Sequence, residues 1–319
     1  MKIGIVTPAG PRSRNGNRNT ALRWATLLRA AGHRVAITTD GTGPTPDLLL
    51  ALHARRSHDP IRRFRDMHPE RPLIVALTGT DVYRDIRTDA ASRQSMLWAD
   101  RMIVLQAAAL DELEPTLRAR TRVVHQSAVP IARKPPLTRL FEVCVVGHLR
   151  DEKDPFRAAL ASERLPADSR VRIVHLGRAL DAAMEREAHA LQTRNPRYQW
   201  RGEVPHWAVR RIMARARAMV ISSRMEGGAN VVSEALAADL PVIASRIPGN
   251  IGLLGEDYPG YYAVEDDAGL AALIARAEAD PCFLAALRQH CRRRRPLVGS
   301  DREADALLAV VLEATRQQG

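Results

Sequence analysis

Short apolar runs separated by longer stretches of helical period recur along the whole chain. In the first half, Ile3–Thr7, Val35–Thr38, Leu48–Leu52, Leu73–Leu77 and the segments 99–105 and 121–129 read as strands. Runs that are apolar without alternation suit a parallel sheet covered by helices on both faces. Between them, Thr20–Ala31 sets Leu22, Ala25, Leu28 and Ala31 on one helical face and stops at Gly32, a C-cap. The segment 53–71 is helical, with Arg55, Arg56, Arg62, Arg63 and Arg65 on a solvated basic face. Residues 131–139 carry Pro135 and Pro136, which stiffen a segment that cannot join a sheet, and read as a connection between domains. The alternation then restarts: Phe141–Val146, Arg172–Gly177, 198–205, Ala218–Ile221 and Pro241–Ser245 read as strands, and Arg210–Ala216 as helical. Ser300-Asp301-Arg302-Glu303 is a capping box, followed by one apolar stripe of Ala304, Leu307, Leu308, Val311 and Leu312. A chain of 319 residues is comfortable for two domains. The pattern predicts an α/β protein of two doubly wound parallel-sheet domains, 1–135 and 140–299.

Charge sharpens this division. The formal net charge is +12, and residues 1–139 hold 23 basic against 12 acidic side chains while 140–319 hold 25 against 24. The excess is therefore confined to the first half. A nucleic-acid-binding protein would account for the basic balance, but neither a recognised binding motif nor an aromatic stacking platform accompanies it, and no nucleic-acid partner is expected. Cys144, Cys282 and Cys291 are few, odd in number and not in metal-ligand spacing, so they read as structural thiols. No apolar run of membrane-spanning length occurs, and Met1-Lys2-Ile3-Gly4-Ile5-Val6 enters a strand directly; the expectation is a cytoplasmic protein without a membrane partner. Against 45 arginines, the three lysines Lys2, Lys134 and Lys153 stand out.

Ligands of such sheets bind in loops at the carboxyl ends of the strands. Three stretches there carry candidate chemistry. After the first strand, a polar loop from Pro8 to Asn19 supplies Arg12, Arg14 and Arg18 as positive charge, with Gly16 giving backbone freedom and Asn19 a helix cap. After Phe141–Val146 comes Gly147-His148-Leu149-Arg150-Asp151-Glu152-Lys153-Asp154. After Ala218–Ile221 comes Ser222-Ser223-Arg224-Met225-Glu226-Gly227-Gly228-Ala229, leading into a helix near Asn230 that carries Glu234. The two glycines permit a tight path, the helix start offers backbone N–H groups to an anion, and Glu226 and Glu234 can both face one ligand.

The spacing Glu226-x7-Glu234 resembles the motif of retaining glycosyltransferases of family 4, whose fold is GT-B: two Rossmann-like doubly wound domains facing a central cleft. Gly147, Leu149 and Lys153 match that family's Gly-Arg-Leu-x-x-x-Lys-Gly turn, with His148 and Asp154 departing from it. The resemblance implies a nucleotide-sugar donor in the second domain. Lys153, with Arg150 in place of the missing arginine, would stabilise the departing diphosphate beside His148. Glu226 and the Gly227, Gly228, Ala229 and Asn230 amides would orient the sugar, Glu234 would hold the ribose, and Gly202 and Val204 would read the uracil. The resemblance also implies that the last helix, 300–319, packs back on the first domain. Thr78-Gly79-Thr80-Asp81-Val82-Tyr83 is similar to the family's His-Gly-Thr-Asp turn with Thr78 in place of His, and it places Thr80 and Asp81, with His53, on the acceptor side. Gln126-Ser127-Ala128-Val129-Pro130 lacks the Asn-Gly of the family's segment before its linker.

A basic first domain poor in aromatic residues favours a small anionic acceptor steered by charge. Arg12, Arg14, Gly16, Arg18, Asn19 and Thr20 are its candidate contacts. Together with Thr7-Pro8-Ala9 and Val146–Pro155, these segments look like the bacterial selenosugar synthase branch. That likeness implies transfer of a sugar, typically N-acetylglucosamine, from a UDP-sugar to selenophosphate in selenoneine biosynthesis, with no metal and no cofactor beyond the co-substrate. The alternatives are an ordinary O-glycosyltransferase using a hydroxyl acceptor and, from charge alone, a nucleic-acid-binding protein. Oligomeric state has no signature here.

Overall fold

The computed structural model describes residues 1–11, 13, 16–79 and 81–316. It divides into two compact units, one holding Met1–Ser127 with the last helix, Ser300–Arg316, and the other Ala128–Gly299.

In the first unit six strands, β1 (Lys2–Val6), β2 (Arg34–Thr38), β3 (Leu48–Leu52), β4 (Leu73–Leu77), β5 (Arg101–Val104) and β6 (Thr121–Val123), form one parallel sheet in the order β2-β1-β3-β4-β5-β6. β3 and β4 are buried at every position, as unbroken apolar runs require when helices cover both faces. The strand read over 121–129 is shorter: only Thr121–Val123 pairs, because beyond it Gln126 and Ser127 turn to side-chain partners instead of a ladder.

The first helix runs Gly16–Ala30, so it begins four residues before the expected Thr20. Gly32 closes it with φ of 86°, as a left-handed cap should. Its buried face is Thr20, Ala21, Trp24, Ala25 and Leu28, while Leu22 is 46% exposed. The apolar reading of Leu22 misplaced the phase by less than a turn because the largest core residue of this helix, Trp24, lies outside the stripe chosen.

Trp24 explains the last helix as well. Glu303 does not reach back to cap Ser300, whose hydroxyl contacts Asp301. The Glu303 carboxylate instead turns inward, fully buried, and accepts from Arg23 Nε (2.8 Å), Trp24 Nε1 (2.8 Å), the Ser127 amide (2.8 Å) and the Ser127 hydroxyl. Four donors held at close range outweigh one local capping bond. Leu307, Val310, Val311 and Ala314 fill the core beside it, and Leu312, read as part of the stripe, is half exposed.

The second unit repeats the plan with β7 (Phe141–Val146), β8 (Val171–Leu176), β9 (Tyr198–Trp200), β10 (Ala218–Ile221), β11 (Val242–Ser245) and a short β12 (Tyr261–Tyr262) that the pattern did not announce. All pair in parallel, in the order β12-β11-β10-β7-β8-β9. The segment before the two prolines belongs to this unit. The Lys134 amide bonds the Ala214 carbonyl at 2.9 Å, and the Arg133 guanidinium caps the Met213 and Ala216 carbonyls at 2.7 and 2.6 Å.

Both units therefore have a point where successive connections leave in opposite directions: between β1 and β3 in the first, between β7 and β10 in the second. Loops splay apart there at the carboxyl ends and leave a crevice.

Candidate functional site

In the second unit the loops after β7 and β10 meet at that point, and they are bolted together through backbone atoms. The Ser222 hydroxyl donates to the Lys153 and Asp154 carbonyls at 3.0 and 2.8 Å. The Arg224 amide bonds the Glu152 carbonyl at 2.9 Å, and its guanidinium bonds the Asp151 carbonyl at 2.6 Å and pairs with Glu265. Asp154 takes a left-handed φ of 43° and is fixed by Arg157 at 2.8 Å, which turns the chain so that Lys153 points back across the crevice. From the other side, Gly177 approaches so closely that a Cβ would stand 1.9 Å from the Gly147 carbonyl oxygen. His175 lies beneath. Its Nε2 contacts the Gly147 carbonyl at 3.2 Å and its Nδ1 the Tyr198 hydroxyl at 3.0 Å. Burial pushes its pKa down to about 4, so near pH 7 it is a neutral prop for the loop.

Glu226 is the centre of the arrangement. Only 8% exposed, it accepts through Oε1 from Lys153 Nζ and from the Ser223 hydroxyl at 2.6 Å. The Ser223 carbonyl takes the Ser245 hydroxyl at 2.6 Å, and Ser245 in turn takes Asn250 Nδ2 on its carbonyl at 2.9 Å. Gly249, in the helix Pro248–Leu254, lies against the Glu226 main chain. A carboxylate, an ammonium group and their supports are thus brought together from four segments remote in sequence. Ser223 lies in the stretch that carries Glu226, and residues 245–250 read in the sequence as a further loop at a strand end, near where the resembled family closes over its donor, but none of Ser223, Ser245, Gly249 and Asn250 was given a role of its own. The short hydroxyl and amide side chains after β10 and β11 were the available signal, since buried polar groups must find partners.

Beyond Glu226 the helix Asn230–Ala237 opens without a side-chain cap, so the positive end of its backbone faces the loop. Ala229 occupies the cap position. Gly227 and Gly228 are not among the residues with positive φ; what they contribute is the absence of side chains rather than a left-handed turn. Glu234 lies in the second turn of this helix, 28% exposed, with His206 Nε2 at 3.6 Å from its Oε1. His206 begins the helix His206–Arg215, which follows Gly202 and the half-buried Val204. His148 accepts the Arg178 amide at 3.2 Å, and burial lowers its pKa. Arg150 is exposed, at the cap of the short turn that holds Lys153. A small open pocket in this crevice is lined by Gly147, His148, Lys153, Ser222, Ser223 and Val231. Lys153 puts a cation into it and Val231 belongs to the first turn of the helix Asn230–Ala237, while the Glu226 carboxylate stands behind Lys153 and Ser223; the set suits a polar ligand carrying both negative charge and hydroxyl groups.

In the first unit, Arg12, Arg14 and Thr80 lie outside the described residues. Gly16, Arg18 and Asn19 are not a loop but the first turn of a helix, whose next residue is Thr20. Thr20 is buried, donating to the Gly16 carbonyl at 2.9 Å and accepting from Gln126 at 2.5 Å. Asp81 is fully buried, its carboxylate taking the Ala54, Thr78 and Gly79 amides at 3.0, 3.2 and 2.7 Å, so it ties the loop after β4 to the end of β3. His53 sits just beyond β3 with φ of 72°, its Nδ1 3.7 Å from Asp81. Desolvation lowers its pKa more than Asp81 raises it, which favours the neutral imidazole at pH 7.

Among the described residues no group of three His, Cys, Asp or Glu side chains is placed to hold a metal ion. Nor is any helix there long and apolar enough to cross a membrane.

Solved structures of similar fold include sucrose-phosphate synthase from Thermosynechococcus elongatus, with a TM-score of 0.82 at 16% identity over 99% of this chain and 100% of that one. HepE of Anabaena in complex with UDP and glucose superposes with a TM-score of 0.74 at 16% identity, covering 99% of both chains. The UDP-forming α,α-trehalose-phosphate synthase of Burkholderia vietnamiensis gives 0.68 at 15% identity over 93% of this chain and 80% of that one. At such identities the likeness speaks for the fold, two parallel-sheet Rossmann-like domains of the GT-B kind. Residues 132–295, which contain the loops after β7 and β10 and both glutamates, match the family of glycosyl transferases group 1. The chain belongs to the glycosyl transferases group 1 family.

Proposed function

We propose that this protein transfers a sugar from a UDP-sugar, N-acetylglucosamine in the first instance, to selenophosphate, forming a carbon–selenium bond and releasing UDP. The observation that carries the donor half is the convergence of Lys153, Glu226 and the uncapped helix start at Asn230 on one crevice. In this reading Lys153 leaves Glu226 for the diphosphate and, with Arg150, stabilises the charge that grows on UDP as the C1–O bond breaks. Glu226, still held by Ser223, turns its free oxygen to a sugar hydroxyl, Glu234 accepts from the ribose, and the Gly202–Val204 segment lies along the base. Three of the similar structures are complexes of HepE with UDP, UDP and glucose, or UDP-glucose, which supports a uridine nucleotide as the ligand to try first.

The acceptor half rests on the motif resemblance together with the basic first unit. Selenophosphate brings its own nucleophile, an anionic selenium that attacks C1 without giving up a proton, so no strong base need stand beside it. A neutral His53 is compatible with that. Arg18 and Asn19 belong to the first turn of their helix, where the backbone's positive end and the Arg18 charge would both favour an anion. The test is direct. The protein is incubated with UDP-N-acetylglucosamine and either selenophosphate or a panel of hydroxyl acceptors, UDP release is followed, and products are identified by mass spectrometry. A selenosugar product supports the proposal; turnover of hydroxyl acceptors alone leaves an O-glycosyltransferase.

A further inference from the structure

His206 and Glu234 come from the successive helices on either side of β10, and their side chains stand together at the rim of the crevice. Nε2 of one is 3.6 Å from Oε1 of the other; the imidazole is 69% exposed and the carboxylate 28%. That distance is longer than a hydrogen bond. The contact is therefore an ion pair when the imidazole carries a proton and a loose adjacency when it does not. The charged groups acting on His206 are Glu234 across from it, which raises its pKa, and Arg210 on the next turn of its own helix, which with partial burial opposes that rise. Arg210 is fixed, its guanidinium bonding the Val129 and Pro130 carbonyls at 3.1 and 2.8 Å. The net direction is upward from the ordinary histidine value.

We propose that His206 and Glu234 form a proton-dependent clamp for the ribose of the nucleotide donor. The inference rests on the reading of Glu234 as the ribose ligand. A vicinal diol donates two hydrogens, and an ionised carboxylate has lone pairs enough to accept both. A histidinium beside Oε1 draws on the same lone pairs and neutralises the charge that makes the carboxylate a good acceptor; a neutral imidazole does neither. His206 is thus a positioning residue that acts through Glu234. Donor affinity rises as pH climbs through its pKa, by a several-fold factor, because an exposed pair is partly screened by water.

Isothermal titration with UDP-N-acetylglucosamine separates the possibilities, since both phosphates of this diester stay ionised between about pH 5.5 and about pH 8.5 while histidine titrates. Wild-type protein should bind about five-fold more weakly at the lower pH. His206→Asn should bind with nearly the same Kd at both, close to the wild-type value at high pH, and Glu234→Gln should bind weakly at both. In steady state at saturating donor, kcat of His206→Asn should match wild type, so that the effect falls on KM. His148 is untouched in His206→Asn, and any dependence it contributes survives there. The clamp is overturned if His206→Asn keeps the wild-type pH profile, or if wild type shows none. If wild type fails to bind the nucleotide sugar at either pH, the donor reading itself falls and takes the clamp with it.

Discussion

Replacing Gly249 by alanine should disable the site without unfolding the protein. Gly249 is not among the residues with positive φ, so alanine has no backbone objection; the difficulty is steric. The new Cβ would lie 2.1 Å from the Glu226 carbonyl oxygen, 2.9 Å from its carbonyl carbon and 2.8 Å from its Cβ. A carbon and a carbonyl oxygen come into contact at roughly 3.3 Å, so main chain must yield by about 1 Å. Either the Pro248–Leu254 helix or the Glu226 loop moves, and the helix is the better anchored, by the Asn250–Ser245 bonds and a buried Leu253 and Leu254. Glu226 then shifts relative to Ser223 and Lys153, whose bonds leave no slack of that size. Overpacking of this kind costs about 1–3 kcal/mol, a fall in Tm of several degrees. Displacing a reacting-site group by about 1 Å costs about 100-fold in rate. The assay pairs thermal unfolding with donor-dependent UDP release at saturating substrate, and Gly299→Ala, where the nearest atom is 3.6 Å away, serves as control. Gly249→Ala with a wild-type kcat would refute the claim that Glu226 must sit where the structure places it.

Other consequences are as specific. Ser223→Ala removes one of two donors on Glu226 Oε1 and should lower kcat about ten-fold, in line with losing roughly 1.5 kcal/mol of a charge-assisted bond, while Ser223→Thr recovers most of it. Glu303→Ala strands the Trp24 and Ser127 donors and the Arg23 charge, and should cost about 3–5 kcal/mol in urea unfolding followed by tryptophan emission; Glu303→Gln should cost less. His175, neutral in the fold with a pKa near 4, binds a proton more readily when unfolded. Its contribution is present above its ordinary value of about 6.5 and is lost as pH falls toward about 4, on the order of 3 kcal/mol, so His175→Gln should narrow the gap in unfolding midpoint between those two pH values.

The alternation of apolar runs and helices carried the architecture, because strands buried on both faces admit almost no polar residue, and Leu48–Leu52 and Leu73–Leu77 admit none. The crevice was legible for the same reason: strand ends could be placed, and Lys153 and Glu226 follow them. Helix phase was harder. Trp24 is buried because Glu303, nearly the whole chain away, gives its indole a partner, and no local spacing contains that fact. The same carboxylate fits a capping box by sequence and leaves it for the core. Asn19 and Gly16 read as loop because polar, small residues favour turns, yet a helix start accepts them equally well. His206 had no signal: its proximity to Glu234 depends on how two helices of the second unit pack.

The central claim is that Lys153 and Glu226 hold a nucleotide-sugar donor through the step in which UDP leaves. The most direct measurement is the initial rate of UDP release from UDP-N-acetylglucosamine, with selenophosphate present, for wild type, Lys153→Ala and Glu226→Gln at equal folded concentration. Loss of about 100-fold or more in both variants is the expected result, consistent with removing a group that acts on developing charge. Wild-type rates in both would contradict the account.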